Sequence, residues 1–370
     1  MTKVSRGLGI EGVFLYTPTA LVISLTEGEE EQTYLRRVNS GGVDIDKLIR
    51  FDETLDQLLA GQCDVDQASQ RMESIAAAPS PYSNWITVVA CALSCGAVAI
   101  FFRGSPVEIL ASIGLGTLVA LLEQLQAKLA WEQAFLEPVA GVVASLGALT
   151  VARFFVPLDD RLVTLAALIV MIPGLKITVA LTELALGHLS AGVARLAGGC
   201  VSLLTITMGV ALAWRIAGGW RTLPEPTDWQ LPEWWQWLAI IVAPIAFSIV
   251  FKARPILWPT IAAVSVAGYA ANVSMGGLWG TEVGAFAGAL VVGAGSNLYA
   301  RLRDRPALVP LTPGIIVLVP GSLGYRSLTA FLDRETLAAI DFAFAMVIVA
   351  AALVGGILTA NVVIPPRRIL

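Results

Sequence analysis

Lys176 and Glu183 lie in a run of residues otherwise apolar enough to be buried in hydrocarbon. An ionisable side chain there costs about 2.5–3.5 kcal/mol on insertion scales, so each needs a reason to be present. Lys176 stands two residues after Pro173-Gly174, and Glu183 follows seven residues later, near the same helical face. A lysine at this place can hold a carboxylate, pair with Glu183 or snorkel to an interface. The Glu183 carboxylate can bind an ammonium group or take up a proton. His188, the only histidine, sits in a short turn beyond. Its titration range suits proton coupling, and its position suits an interfacial loop as well. Thr178 adds a hydroxyl. In a second apolar stretch Ser322 directly follows Pro320-Gly321, and Asn297 offers a neutral amide. Asp341 and Glu282 are further acids within apolar segments. Proline cannot donate the helical hydrogen bond, so each Pro-Gly step frees backbone groups beside these side chains. Such a set could read the α-amino, α-carboxyl and hydroxyl groups of a small amino acid.

Ten apolar segments must position them, each long enough to cross about 30 Å of hydrocarbon at about 1.5 Å per residue. They run near 85–102, 106–127, 134–155, 161–183, 189–216, 234–251, 255–273, 279–302, 308–331 and 337–363. Ile169-Val170-Met171-Ile172-Pro173-Gly174 in the fourth is matched by Ile316-Val317-Leu318-Val319-Pro320-Gly321 in the ninth, and the same offset carries Gly141 onto Gly288. Five is odd, so a second set of five enters the membrane with opposite orientation. Paired breaks in an inverted repeat mark substrate sites in many transporters; a packing kink is the plainer account of each. The fold class expected is therefore an all-α polytopic membrane protein with ten transmembrane helices as a 5+5 inverted repeat, preceded by a small α+β soluble domain. The domains expected are 1–80, 84–217 and 233–364. Gly280, Gly284 and Gly288 form a small-residue stripe suited to close helix packing.

The composition agrees. Of 370 residues, 56% are hydrophobic and 14% charged, against about 25% charged in ordinary soluble domains. Residues 1–84 hold 13 acidic and 7 basic side chains, so the first unit is acidic. No basic field exists for nucleic acid. Cys91 and Cys95 stand one helical turn apart, but the other ligands of a metal site are missing, so they read as apolar packing. Neither metal nor cofactor is expected. Trp229, Trp234, Trp235 and Trp237, in the aromatic linker after the fifth segment, suit a headgroup interface. Placing the N-terminus in the cytoplasm puts Arg301, Arg303, Arg305, Arg367 and Arg368 inside, so both termini are expected there.

The first eighty residues read as strands at 12–16, 20–25 and 32–38, with a hairpin at Thr17-Pro18-Thr19 and an acidic turn at Glu27–Glu31. Two helices follow, N-capped by Asp44 and by Asp64, with Gln67 as capping-box partner. Pro79-Ser80-Pro81 ends the unit. Phe14, Leu21 and Ile23 have few partners, so a membrane-proximal surface or another subunit of a homo-oligomer is expected to cover them, unless an upstream start supplies a further helix.

The segment Pro173 to Arg195 resembles the signature of the threonine/serine exporter family: a Pro-Gly break, Thr178, Glu183-Leu184, then Ser190-Ala191-Gly192-Val193-Ala194-Arg195. Its second-half counterparts are Ser296–Arg301 and Val319–Ser327, and the helices of Val43–Ile75 fit as well. The resemblance covers nearly the whole chain. It implies ion-coupled export of small amino acids from a bacterial-type cytoplasm across the cell membrane. Two departures stand out. The family often has Asp where Glu183 stands and Asn where Val179 stands, and its soluble domain usually opens with a longer helix than Val4–Gly9 allows. Related proteins also handle dicarboxylates, so that substrate class is the alternative. No Walker loop, His-Glu-x-x-His or elbow serine supports an enzyme. A membrane scaffold remains the other reading, although it would need neither paired breaks nor intramembrane charges.

Overall fold

The computed structural model describes residues 1–7, 9–17, 19–27, 30–38, 42–129, 131–218 and 231–366. Pro18, the middle of the acidic turn, most of the aromatic linker with Trp229, and Arg367 and Arg368 lie outside these described residues. The chain opens with a short helix α1, Thr2–Gly7, where the sequence suggested none. Three antiparallel strands follow, β1 (Glu11–Tyr16), β2 (Ala20–Glu27) and β3 (Glu30–Arg37), in the order β1-β2-β3. Phe14 pairs with Ile23 and Leu15 with Val22, so alternate residues share a face. Phe14, Leu21 and Ile23 are half-buried, whereas Val13, Leu15 and Leu35 on the opposite face are well exposed. Helices α2 (Ile45–Leu59) and α3 (Val65–Ala77) start where the caps were expected: the Asp44 carboxylate accepts from the Lys47 amide, and Asp64 from the Gln67 amide.

The start of α2 is keyed to the membrane part. Ile45 is fully buried among Ala253, Ile261, Tyr299 and Val309. Its amide donates to the Phe251 carbonyl at 2.9 Å. Asp44 pairs with Lys252 at 3.2 Å, Asp46 with Arg254, and Glu53 with Arg305. In each pair the cation is a third to a half exposed, and solvent screening weakens such pairs, so the buried isoleucine should hold the dock. Ile45→Ala is expected to cost about 2–5 kcal/mol. The measurement is protease cleavage in the connector 78–83, which should become faster; an unchanged rate would refute the assignment.

Twelve helices follow among the described residues: α4 (Asn84–Phe101), α5 (Pro106–Leu129), α6 (Gln133–Phe154), α7 (Asp160–Ala167), α8 (Gly174–Ala185), α9 (Leu189–Ala217), α10 (Trp234–Val250), α11 (Trp258–Trp279), α12 (Thr281–Arg303), α13 (Leu308–Ile316), α14 (Gly321–Leu332) and α15 (Thr336–Val363). Eight stretches are long and apolar enough to cross a membrane, with α13 and α14 counted as one. The apolar α10 is shorter at 17 residues, and α7 and α8 are separate short helices.

In the first half α4 packs on α5, α5 on α6 and α7, α6 on α7 and α9, and α8 on α9. In the second half α10 packs on α11, α11 on α12 and α13, α12 on α13 and α15, and α14 on α15. Between the halves α4 meets α10, α8 meets α15 and α9 meets α14. Small residues permit the closest crossings. A Cβ on Gly209 of α9 would fall 2.1 Å from the Pro138 carbonyl oxygen, and one on Gly356 of α15 2.4 Å from that of Phe286. Gly284 and Gly288 likewise press against α11 at Asn272 and Gly268, so that part of the glycine stripe serves packing.

Candidate functional site

Two broken helices meet where the halves of the structure pack together. After α7 the chain turns irregularly through 168–173 and resumes as α8, with Pro173 as the residue before its first turn. After α13 it turns through 317–320 and resumes as α14 behind Pro320. In both cases proline sits where a helix starts, because the amide it lacks would have no partner there. The two restarts touch. A Cβ on Gly174 would lie 3.0 Å from the Gly321 Cα and amide nitrogen, and one on Gly321 would lie 2.9 Å from the Gly174 Cα. Only glycine allows backbones so close.

Beside this contact lies a cavity of about 210 Å³. It is lined by Gly174, Leu175, Gly321 and Ser322 of the two restarts, by the aromatic Phe101, Phe102, Phe247 and Tyr269, and by apolar residues such as Val98 and Ile172. Phe101 and Tyr269 have ring centroids 5.4 Å apart. No acid, lysine or arginine is among the lining residues. The favourable charge therefore comes from backbone: two helix N-termini, each with the positive end of its dipole. That arrangement suits a carboxylate, with the Ser322 hydroxyl as a further donor.

The structure thus gathers Pro173, Gly174, Pro320, Gly321 and Ser322. Thr178 is buried one turn into α8, where its hydroxyl donates to the Gly174 carbonyl at 3.2 Å. Lys176 is exposed and is not among the cavity residues. Glu183 has a different partner from the lysine: Arg195 Nε and Nη2 donate to its two carboxylate oxygens, each at 3.0 Å. Tyr16 of β1 lies against the same guanidinium, which brings the soluble unit to the α8–α9 turn. His188 is exposed just before α9. Asn297 is buried, but it donates to the Asn361 side chain at 2.9 Å and the Ile364 carbonyl at 2.8 Å, and so ties α12 to the end of α15. Asp341 and Glu282 are exposed on the early turns of α15 and α12.

Sequence reasoning passed over three groups. Arg326 lies 4.6 Å from the centroid of the Phe102 ring, beside the cavity wall. Arg161 pairs with Asp333 at 2.8 Å, joining the start of α7 to the turn between α14 and α15. Glu137, early in α6, accepts from Ser202 and Thr205 of α9, each at 2.6 Å. Its one available signal was a lone acid before Pro138 inside an apolar run.

Comparison with known proteins gives the relatives. Residues 1–217 match the family described as "Putative threonine/serine exporter", and residues 236–363 match the family described as "Threonine/Serine exporter, ThrE". The "Pheromone-regulated membrane protein 10" of Eremothecium gossypii is 25% identical over 339 residues, covering 88% of this chain and 45% of that protein. Its namesake in Yarrowia lipolytica is 24% identical over 346 residues, covering 87% and 28%. The "Probable threonine/serine exporter" of Mycobacterium tuberculosis is 24% identical over 338 residues, covering 86% and 63%. The chain spans less than half the length of the first curated relatives it matches. No solved structure matches.

Proposed function

We propose, because this chain belongs to the threonine/serine exporter family, that it carries small amino acids of threonine or serine type out of the cytoplasm through the cavity between its two helix breaks. The chain is a multi-pass membrane protein. The observation that carries the reading is the abutment of Gly174 and Gly321 beside that cavity. Members of this family are transporters rather than enzymes.

In this reading the membrane is crossed ten times. The α7–α8 pair, the α13–α14 pair and the shorter α10 complete the eight long stretches. The loop contacts support it, because they fall into two groups. One gathers Asp44 with Lys252, Asp46 with Arg254, Glu53 with Arg305, and Arg301 with the Pro365 carbonyl. The other gathers Glu108 with the Asp159 amide and Arg161 with Asp333. Alternating crossings put the first group on the side of the soluble unit and the second on the opposite side. The helix partners in each half follow one scheme, and α8 with α15 answers α14 with α9. That reciprocity is what a 5+5 inverted repeat with a pseudo-two-fold axis in the membrane plane requires. Lys252, Arg254, Arg301, Arg303 and Arg305 cluster on the soluble unit's side, which the positive-inside rule assigns to the cytoplasm of a cell membrane.

The substrate carboxylate docks at the positive N-terminal ends of α8 and α14, with the Ser322 hydroxyl as a donor. Its ammonium group turns toward the carbonyls of the breaks and the faces of Phe101 and Tyr269, where a cation gains from the ring quadrupole. Lys176 and Glu183, farther along α8, line the route toward the soluble unit. A dicarboxylate is the second reading, favoured by the absence of any acid among the cavity residues.

Purified chain in liposomes, tested for flux of labelled threonine, serine and succinate with and without a pH gradient, separates these outcomes. Threonine and serine flux that responds to the gradient is expected. Succinate flux alone would establish the dicarboxylate reading, and no flux of any of the three would overturn export in favour of a scaffold.

A further inference from the structure

Glu137 has an unusual position for a carboxylate. It lies in the second turn of the membrane helix α6, and both its oxygens accept hydrogen bonds from α9, from Ser202 Oγ and Thr205 Oγ1, each at 2.6 Å. Ser202 and Thr205 occupy the middle of the 29-residue α9, so the group is held far from either end of that helix. No cation is paired with it among the described residues. The elements packed against α6 are α5, α7 and α9. Their ionisable residues are Glu108, Glu123 and Lys128 on α5, Asp160 and Arg161 on α7, and Arg195, Cys200 and Arg215 on α9. Arg195 is taken by Glu183 and Arg161 by Asp333, and Glu108 bonds the Ser105 and Asp159 amides.

An anion in this setting can be stabilised by donors or relieved by protonation. The two hydroxyls provide the first, and proton uptake provides the second. The site is also wired to the breaks by direct packing. One turn before Ser202, Gly199 abuts Pro173 and Ile177, so that a Cβ there would meet Ile177 Cγ1 at 2.9 Å. Next to Ser202, Leu203 abuts Gly324 of α14, where a Cβ would meet it at 3.1 Å. A change in the length or angle of the Glu137–Ser202 contact thus reaches both α8 and α14.

We infer that Glu137, with Ser202 and Thr205, is the coupling site and that its ligand is a proton. One proton from water bonds to a carboxylate oxygen, which converts the anion to the neutral acid, and it leaves to water on the other side as the substrate moves the opposite way. No other bond forms or breaks, and the two hydroxyls only rotate. This rests on the export reading for its consequence but not for its chemistry.

Infrared difference titration of the full chain in liposomes reads the chemistry without any substrate. The protonated-carboxyl signal that grows as pH falls holds contributions from all 28 acidic residues, so subtracting the Glu137→Gln signal from the wild type should leave one band, that of Glu137. Ser202→Ala with Thr205→Val removes both hydrogen-bond partners of the carboxyl group, so the frequency of that band should move. In the same liposomes Glu137→Gln should lose threonine flux driven by a pH gradient yet keep threonine exchange at equal pH. Glu137→Asp, which retains a carboxylate, should keep part of the driven flux and guards against a folding defect. A signal unchanged in Glu137→Gln, pH-driven flux unchanged in it, or threonine flux that follows a sodium gradient at equal pH would overturn the proposal. Wild-type liposomes that titrate but move no threonine would defeat the export reading while leaving the proton site standing.

Discussion

Gly174→Ala and Gly321→Ala are each expected to abolish flux and lower the stability of the whole bundle. The added methyl on either residue meets the backbone of the other well inside ordinary van der Waals contact: 3.0 Å from Gly321 Cα and N in one case, 2.9 Å from Gly174 Cα in the other. Backbone cannot swing aside as the end of a side chain can. Overpacking of this kind costs about 1–3 kcal/mol, and here the strain lands on the two helix starts that form the cavity wall. Separating them by even a few tenths of an ångström changes the shape of the cavity they line. A matched control exists. Gly114 of α5 and Gly198 of α9 have open space where a Cβ would go, so alanine there should leave flux unchanged and gain up to about 1 kcal/mol from helix propensity. Melting temperature in detergent and flux in liposomes give the two readouts. Normal flux by both break variants would dissociate the cavity from transport.

Arg195→Ala should be the most damaging charge removal in the first half. Glu183 and Arg195 are joined by two parallel hydrogen bonds, and their side chains are 19% and 25% exposed. Taking away the cation leaves a carboxylate with little water and no substitute donor. For a buried pair that costs about 3–5 kcal/mol, and the partial exposure here places the effect toward the lower end. The remedy is equally specific. Glu183→Ala added to Arg195→Ala removes the stranded charge, so the double variant should recover much of the lost stability, with a coupling of about 1–3 kcal/mol. A melting-temperature cycle over the wild type, the two single variants and the double variant measures it. Additive losses would mean that the pair carries no shared energy. Tyr16 against the Arg195 guanidinium adds a second expectation: the single variant should also loosen β1 from the α8–α9 turn, seen as faster hydrogen exchange in the strand.

Much of the architecture was legible along the chain because its causes are local. Long apolar runs leave helix as the only way to satisfy backbone hydrogen bonds without water, and the boundaries of α4, α5, α9 and α15 lie within a few residues of the apolar segments. Asp44 and Asp64 act through amides three residues away. Pro173 and Pro320 interrupt helices through their own missing hydrogens. The short α1 was missed because six residues of ordinary composition carry no periodic signal.

What only the tertiary structure decided are the pairings between distant residues. That the two Pro-Gly steps touch, rather than merely repeat, depends on how the halves pack. Lys176 was a natural neighbour for Glu183 on one helical face, yet Arg195 takes the carboxylate, because the tight α8–α9 turn brings the next helix closer than two turns of the same one. Asn297 belonged by type with substrate ligands, but α12 lies against α15 and spends its amide on Asn361 and Ile364. Glu137 meets its hydroxyls 65 and 68 residues later, and Asp44 meets Lys252 208 residues later. Neither hydrophobic period nor local propensity constrains such pairs. They follow from close glycine crossings and from the cost of leaving a polar group unpartnered in hydrocarbon, two effects that act only once the helices have come together.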